Sequence, residues 1–386
     1  MFPRGFPTHN LEHPFLLPTP VRIGASPLFT GRGVTIAFID SGFYPHPDLG
    51  DRVALHVDAS IEPVVVNDAR YRRPMWYSWH GMMTSVIACG DGRTSNGFYR
   101  GVAPDAHLIL IKVSTPHKEI KECDILRGMN WLIANGERLG VKVVNISVGG
   151  DHFSDDPEHP LYVAVRALIE RGISVVVAGG NSPDRPLVPP NSAPEAIAVG
   201  GYDDHNTLDY TRWQLYRNSY GTAHDGTPKP DLVAPAQWIA SPILPHTPVE
   251  REARWLSALL DLAADDQEGL RRILHQGASD LALSGNEVSA PSEAVHAKLL
   301  GRIREHKIVD AHYQYVEGTS VAAAIVSGII AQMLEVNSSL TPPEVKAILI
   351  ETAKRIPESP HVQQGAGVIN AAGAVALADA IHPRRK

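Results

Sequence analysis

The chain has 386 residues, 44% of them hydrophobic and 20% charged, with a formal net charge of −7; that is enough apolar material for a core in one large domain or two to three smaller ones. The acidic balance, with no basic tract, excludes the electrostatic footprint of a nucleic-acid binder, and the two cysteines, Cys89 and Cys123, cannot make a disulfide framework. No apolar signal-peptide core follows Met1-Phe2-Pro3-Arg4, so a cytoplasmic location with no membrane partner is expected.

Residues 1–30 read as an N-terminal extension, too short for a domain of its own. Within it, Pro14-Phe15-Leu16-Leu17-Pro18-Thr19-Pro20 is apolar and punctuated by proline, hence extended. Residues 31–386 form the main body. Gly33-Val34-Thr35-Ile36-Ala37-Phe38-Ile39 is a β-branched apolar run, the pattern of a parallel strand buried on both faces, and Asp40 stands at its C-terminal end. His80 precedes 81–88, a helix start. Ser174-Val175-Val176-Val177 reads as a second buried strand, ending in Ala178-Gly179-Gly180-Asn181. Residues 245–310 carry apolar positions at helical spacing, Trp255, Leu259 and Leu262 first, then 267–274, then a helix capped by Ser292. This is a helical insertion. Ser320 precedes the nearly all-apolar stretch 321–334, a buried helix too interrupted for a membrane span. Pro342 opens a late helix, and 371–380 is an Ala-rich terminal one. No internal repeat or low-complexity linker divides the chain. The expected fold is α/β, a three-layer sandwich with a mainly parallel central sheet.

Asp40, His80 and Ser320, each beside a glycine, supply the three groups of an acyl-transfer triad. A serine hydroxyl is a weak nucleophile until a neighbouring base takes its proton. His80 is the candidate base, and Asp40 the group that would hold its tautomer. The chain order Asp, His, Ser distinguishes this arrangement from others built of the same three residues. Asn181 is the candidate side-chain donor to the oxyanion, and a serine at a helix N-terminus adds backbone N–H groups.

With these residues, the chain resembles the subtilisin-like serine peptidases (subtilases) over most of residues 20–376. Gly31-Arg32-Gly33-Val34, His46-Pro47-Asp48-Leu49, Gly101-Val102-Ala103-Pro104, Lys229-Pro230-Asp231-Leu232-Val233-Ala234-Pro235 and Gly365-Ala366-Gly367-Val368 carry the resemblance in consistent order. It departs from the family at Met82, where Thr is usual, and at Ala324, where Pro is usual. The resemblance implies a serine endopeptidase acting on protein or peptide substrates and requiring no cofactor. It implies Ser147-Val148-Gly149 and Ala178-Gly179-Gly180 as walls of the first specificity pocket, with Lys118, Glu119 and Glu122 in a more polar outer pocket. Asp184 is a candidate for the pocket floor. Structural calcium stays open: Asp48 matches a family ligand position, whereas the oxygen-rich loop 90–97 is spaced differently and contains Arg93. No zinc-ligand spacing occurs among the 18 histidines. In layout the chain is similar to intracellular subtilisins, whose short extension can lie in the cleft; the plainer expectation for 1–30 is a strap across the body. The insertion either packs as decoration or serves as a lid or dock for a regulatory protein partner. The readings weighed against a general endopeptidase are a dedicated processor of precursor or leader peptides, and a catalytically dead binding protein.

Overall fold

The computed structural model describes residues 2–8, 14–115, 117, 119–263 and 265–381. The strands in chain order are β1 (Thr35–Asp40), β2 (Val53–Asp58), β3 (Val65–Val66), β4 (His107–Lys112), β5 (Val141–Ile146), β6 (Ser174–Ala178), β7 (Ile197–Asp203), β8 (Gln214–Leu215), β9 (Gly221–Thr222), β10 (Pro228–Lys229), β11 (Leu232–Pro235), β12 (Ile239–Pro242) and β13 (Tyr313–Val316). The central sheet runs in the order β11-β7-β6-β5-β1-β4-β2-β3, with β8 added beside β7. Its ladders are parallel except where β3 pairs with β2 and β8 with β7. β1 lies between β4 and β5, so Asp40 emerges from the interior of the sheet.

Helices cover both faces. They are α1 (Thr19–Arg22), α2 (Ser78–Cys89), α3 (Glu122–Asn135), α4 (Pro160–Glu170), α5 (Pro248–Leu260), α6 (Gln267–Gln276), α7 (Gly285–Ser289), α8 (Glu293–Glu305), α9 (Thr319–Val336), α10 (Pro342–Thr352), α11 (His361–Gln364) and α12 (Ala371–Ala380). Successive side chains of a strand point to opposite faces. Accordingly Ile36 and Phe38 join the core built with α2, α9, α10 and α12, while Ala37 and Ile39 join the core built with α3 and α4. This is the three-layer sandwich. α9 is long and apolar enough to cross a membrane, but 83% of it is buried inside the protein.

α2 begins at Ser78 rather than after His80, so His80 lies in its first turn. Met82, which stands where Thr is usual, is a buried core residue, as are Met83 and Ala324, and α9 runs on without a break. Both cysteines are free; Cys89 is buried and Cys123 exposed.

The insertion is the loop of an antiparallel strand pair. β12 and β13 pair from Ile239–Val316 to Pro242–Tyr313, and α5 to α8 lie between them. These helices have a core of their own, in which Leu256, Leu259, Leu274, Leu299 and Ile303 are buried. α7 was not among the expected helices, although its capping box, Ser284 with Glu287, is a local sequence signal. Phe2 belongs to the same core, stacked on His296 at 4.2 Å. Arg4 pairs with Asp261 at 2.5 Å, and Phe6 packs edge-on against Tyr315. Farther along, Asn206 accepts from the Leu17 amide and donates to the Pro7 and Phe15 carbonyls. The described part of the extension is therefore a strap across the insertion and the body.

Candidate active site

β1 delivers Asp40 fully buried at its C-terminal end. Its Oδ1 lies 2.6 Å from His80 Nδ1 and accepts from the Ser41 amide at 2.6 Å; its Oδ2 accepts from Thr84 Oγ at 3.1 Å. Thr84 lies one helical turn beyond His80 and was not picked out from the sequence; the i, i+4 spacing on α2 was the available signal. The approach of α2 to β1 depends on Gly81: a Cβ there would stand 2.4 Å from the Gly42 carbonyl oxygen and 2.7 Å from the Phe43 ring. Burial lowers the pKa of His80, but the charge of Asp40 and the hydrogen bond to it raise it more, so the net shift is upward. The His80 side chain is still 35% exposed.

Ser320 is the second residue of α9, half-buried, and α9 packs against α2. The residue before it is clamped. Thr319 donates its amide to Asn181 Oδ1 at 2.8 Å and its hydroxyl to the same oxygen at 3.0 Å, while Thr319 Oγ accepts from the Gly180 amide. Asn181 is exposed, with its Oδ1 turned toward the start of α9. Its Nδ2 has no protein acceptor among the described residues and is available to a ligand.

The model of the subtilase family (Peptidase S8) matches residues 31–368. The chain is a subtilase. It is 30% identical over 355 residues to the serine protease AprX of Bacillus subtilis, covering 90% of this chain and 67% of AprX. It is 32% identical over 177 residues to subtilisin Savinase of Lederbergia lenta, covering 46% of this chain and 58% of that protein. Fervidolysin from Fervidobacterium pennivorans, described as a keratinolytic enzyme related to subtilisin, has the same fold: TM-score 0.61 at 18% identity, over 97% of this chain and 47% of that one. The chain thus spans about two thirds of AprX and about half of fervidolysin. Family and relatives together make this subtilase a serine endopeptidase that acts on protein or peptide substrates.

Beside Asn181 this subtilase has an open cavity of about 660 Å³. Of the six expected wall residues only Gly180 lines it, with residues 150–153, Asn181, Arg185, Val188 and Ser219 supplying much of the rest. Ser147 is tied back by Asn145 at 2.9 Å, and Gly149 packs on Val188 and Asn191, leaving the space just beyond the strand ends. Asp184 does not line the cavity; its neighbour Arg185 does, because the chain turns between them. Gly180 has φ +93°, and a Cβ there would meet Ser219 Oγ at 2.7 Å, so glycine is needed for the wall to close. Glu122 does not project into an outer pocket. Its carboxylate accepts from the Asp151 amide at 3.0 Å and braces the wall at Gly150. Lys118 lies outside the described residues.

The donors around Asp48 do not fit a calcium ion. Oδ1 accepts from the amide and the hydroxyl of Thr94, at 3.0 and 2.9 Å, and Oδ2 accepts from the Tyr313 hydroxyl. The nearby Asp91 carboxylate is taken by Arg93 at 2.6 and 2.9 Å. Among the described residues no group of three or more acidic, histidine or cysteine side chains could hold a metal.

Proposed function

We propose that Ser320 is the nucleophile of this endopeptidase, with His80 as its base, Asp40 as the group that orients His80, and Asn181 Nδ2 as a donor to the oxyanion. The observation that carries this reading is the 2.6 Å contact between Asp40 Oδ1 and His80 Nδ1. It fixes the protonated nitrogen of the neutral ring as Nδ1, which leaves Nε2 free to accept a proton on the exposed side. Ser320 Oγ attacks the peptide carbonyl and gives its proton to His80. The tetrahedral oxyanion forms at the N-terminus of α9, within reach of Asn181. His80 then protonates the leaving amine, and water hydrolyses the acyl-enzyme by the same path in reverse. The cavity beyond Gly180 takes the side chain on the acyl side of the cleaved bond. Support for Asn181 comes from its anchoring: an amide whose oxygen is already held by Thr319 is pre-oriented and pays little to reorganise during the reaction.

The test is active-site labelling by a fluorophosphonate, followed by peptide mapping, alongside casein digestion. Wild type should carry the label on Ser320 and digest casein; Ser320→Ala should do neither. A label that persists in Ser320→Ala would sink the assignment.

A further inference from the structure

Asp48 is fully buried, yet both of its carboxylate oxygens are satisfied. Thr94 donates twice to Oδ1. The Tyr313 hydroxyl donates to Oδ2, and Thr94 Oγ lies 3.1 Å from the same phenol oxygen. These three donors point hydrogens at the carboxylate, which is the polarity opposite to that of a cation's ligand shell. A calcium ion needs six to eight oxygen atoms at about 2.3–2.6 Å. Here it would have to expel an amide N–H and a phenol O–H to reach Asp48, and it would gain no second free carboxylate. His46 stands beside the turn, its Nδ1 accepting from the Asp48 amide at 3.2 Å. The backbone oxygen of Asp48 is also taken, by Arg52 at 2.6 Å and by the Asp91 amide at 2.9 Å.

Tyr313 is the first residue of β13, the strand that returns from the insertion and leads into Ser320. Its ring is buried against Tyr99, with centroids 5.1 Å apart, and fills the space between the 47–52 turn and the 92–99 loop. On the other strand of the pair, the Pro242 carbonyl accepts the indole N–H of Trp79, the neighbour of His80, at 3.1 Å. The root of the insertion is therefore pinned at two places, one on the Asp48 turn and one on the His80 helix.

We propose that Tyr313 occupies, with a neutral hydroxyl, the place at Asp48 that a structural cation would fill, so that the 92–99 loop is held by the root of the insertion and not by calcium. Two consequences follow for stability, and neither depends on the assignment of Ser320. Calcium and its chelation should leave the protein indifferent at this site. Removal of one hydroxyl should not.

The experiment is thermal unfolding of the full chain in excess calcium chloride and in excess EDTA, for wild type, Tyr313→Phe and Asp48→Asn. Wild type should unfold at the same Tm in both. Tyr313→Phe keeps the ring but leaves a buried carboxylate oxygen without its donor, and should lower Tm in both buffers by about 3 °C or more. A calcium-dependent rise in wild-type Tm that Asp48→Asn abolishes would overturn the proposal; a rise that survives Asp48→Asn places the ion elsewhere and upholds it. If Asp48→Asn does not fold, the Tyr313→Phe comparison decides alone, since a Tm equal to wild type in EDTA would also overturn the proposal.

Discussion

In the central sheet, β1 buries Ile36 and Phe38 against one helical layer and Ala37 and Ile39 against the other, whereas α5, α6 and α8 of the insertion each bury a single stripe in one small cluster completed by Phe2. The first arrangement is non-local throughout: a strand buried on both faces has no stability without its neighbours. The second is mostly local, closed by short connections and by Phe2 and Arg4 of the strap. The proposed catalytic groups stand on the non-local part. Asp40 ends a strand in the interior of the sheet, and Ser320 opens a helix buried along most of its length, so both inherit the rigidity of the whole core. The insertion is tied to this part at its root, where the Pro242 carbonyl holds Trp79 and Tyr313 holds Asp48. No large hydrophobic side chain of its helices is exposed among the described residues.

The largest effect that would sharpen this contrast lies at Asn181. Asn181→Asp keeps an oxygen for Thr319 but replaces the Nδ2 donor with a second, negatively charged acceptor beside the oxyanion. It should cost at least the roughly 10²–10³-fold in kcat that loss of one oxyanion donor costs, with little change in Tm. A fall in KM-controlled binding alone would move Asn181 out of the reaction. Next is Phe2→Ala, which should weaken the insertion by up to about 3 kcal/mol, the low end for a buried phenylalanine, since the strap can detach locally. Hydrogen exchange should then rise in α5, α6 and α8, with kcat unchanged; an equal rise across the sheet would break the comparison. The smallest effect is on pH dependence. His80 must be neutral to act as base, and Asp40 holds its pKa above the usual value, so kcat/KM should rise with pH through a midpoint above about 6.5. The sign for stability is opposite: the contribution of His80 is full below the unfolded value and is lost as pH climbs through the raised folded value. A midpoint at or below about 6.5 would mean that burial outweighs Asp40.

Much of the fold was legible because its signals are local. A run of β-branched residues ending in Asp40 fits a strand buried on both faces, and the stripe Trp255, Leu259, Leu262 fits one side of a helix. Ser292 was recognisable as a cap and does accept from the Val295 amide. The pocket was harder. Gly149 and Gly180 look alike in sequence, but Gly149 packs on Val188 while Gly180 opens on the cavity, and nothing near either residue says which. Glu122 read as a polar group for an outer pocket; it braces the Asp151 amide instead, a contact 29 residues away.

By itself the sequence determined which residue types could do the chemistry, in which order they come, and which face of each element is apolar, because periodicity and glycine placement report on a residue's own few neighbours. Tertiary structure alone decided which distant element covers each face: that Thr84 supports Asp40, that Asn181 turns its oxygen to Thr319, that Phe2 completes the core of the insertion, and that Tyr313 meets Asp48. That last bond joins residues 265 positions apart. A hydrogen bond of such span leaves no local mark, because its two partners are selected by the packing of everything folded between them.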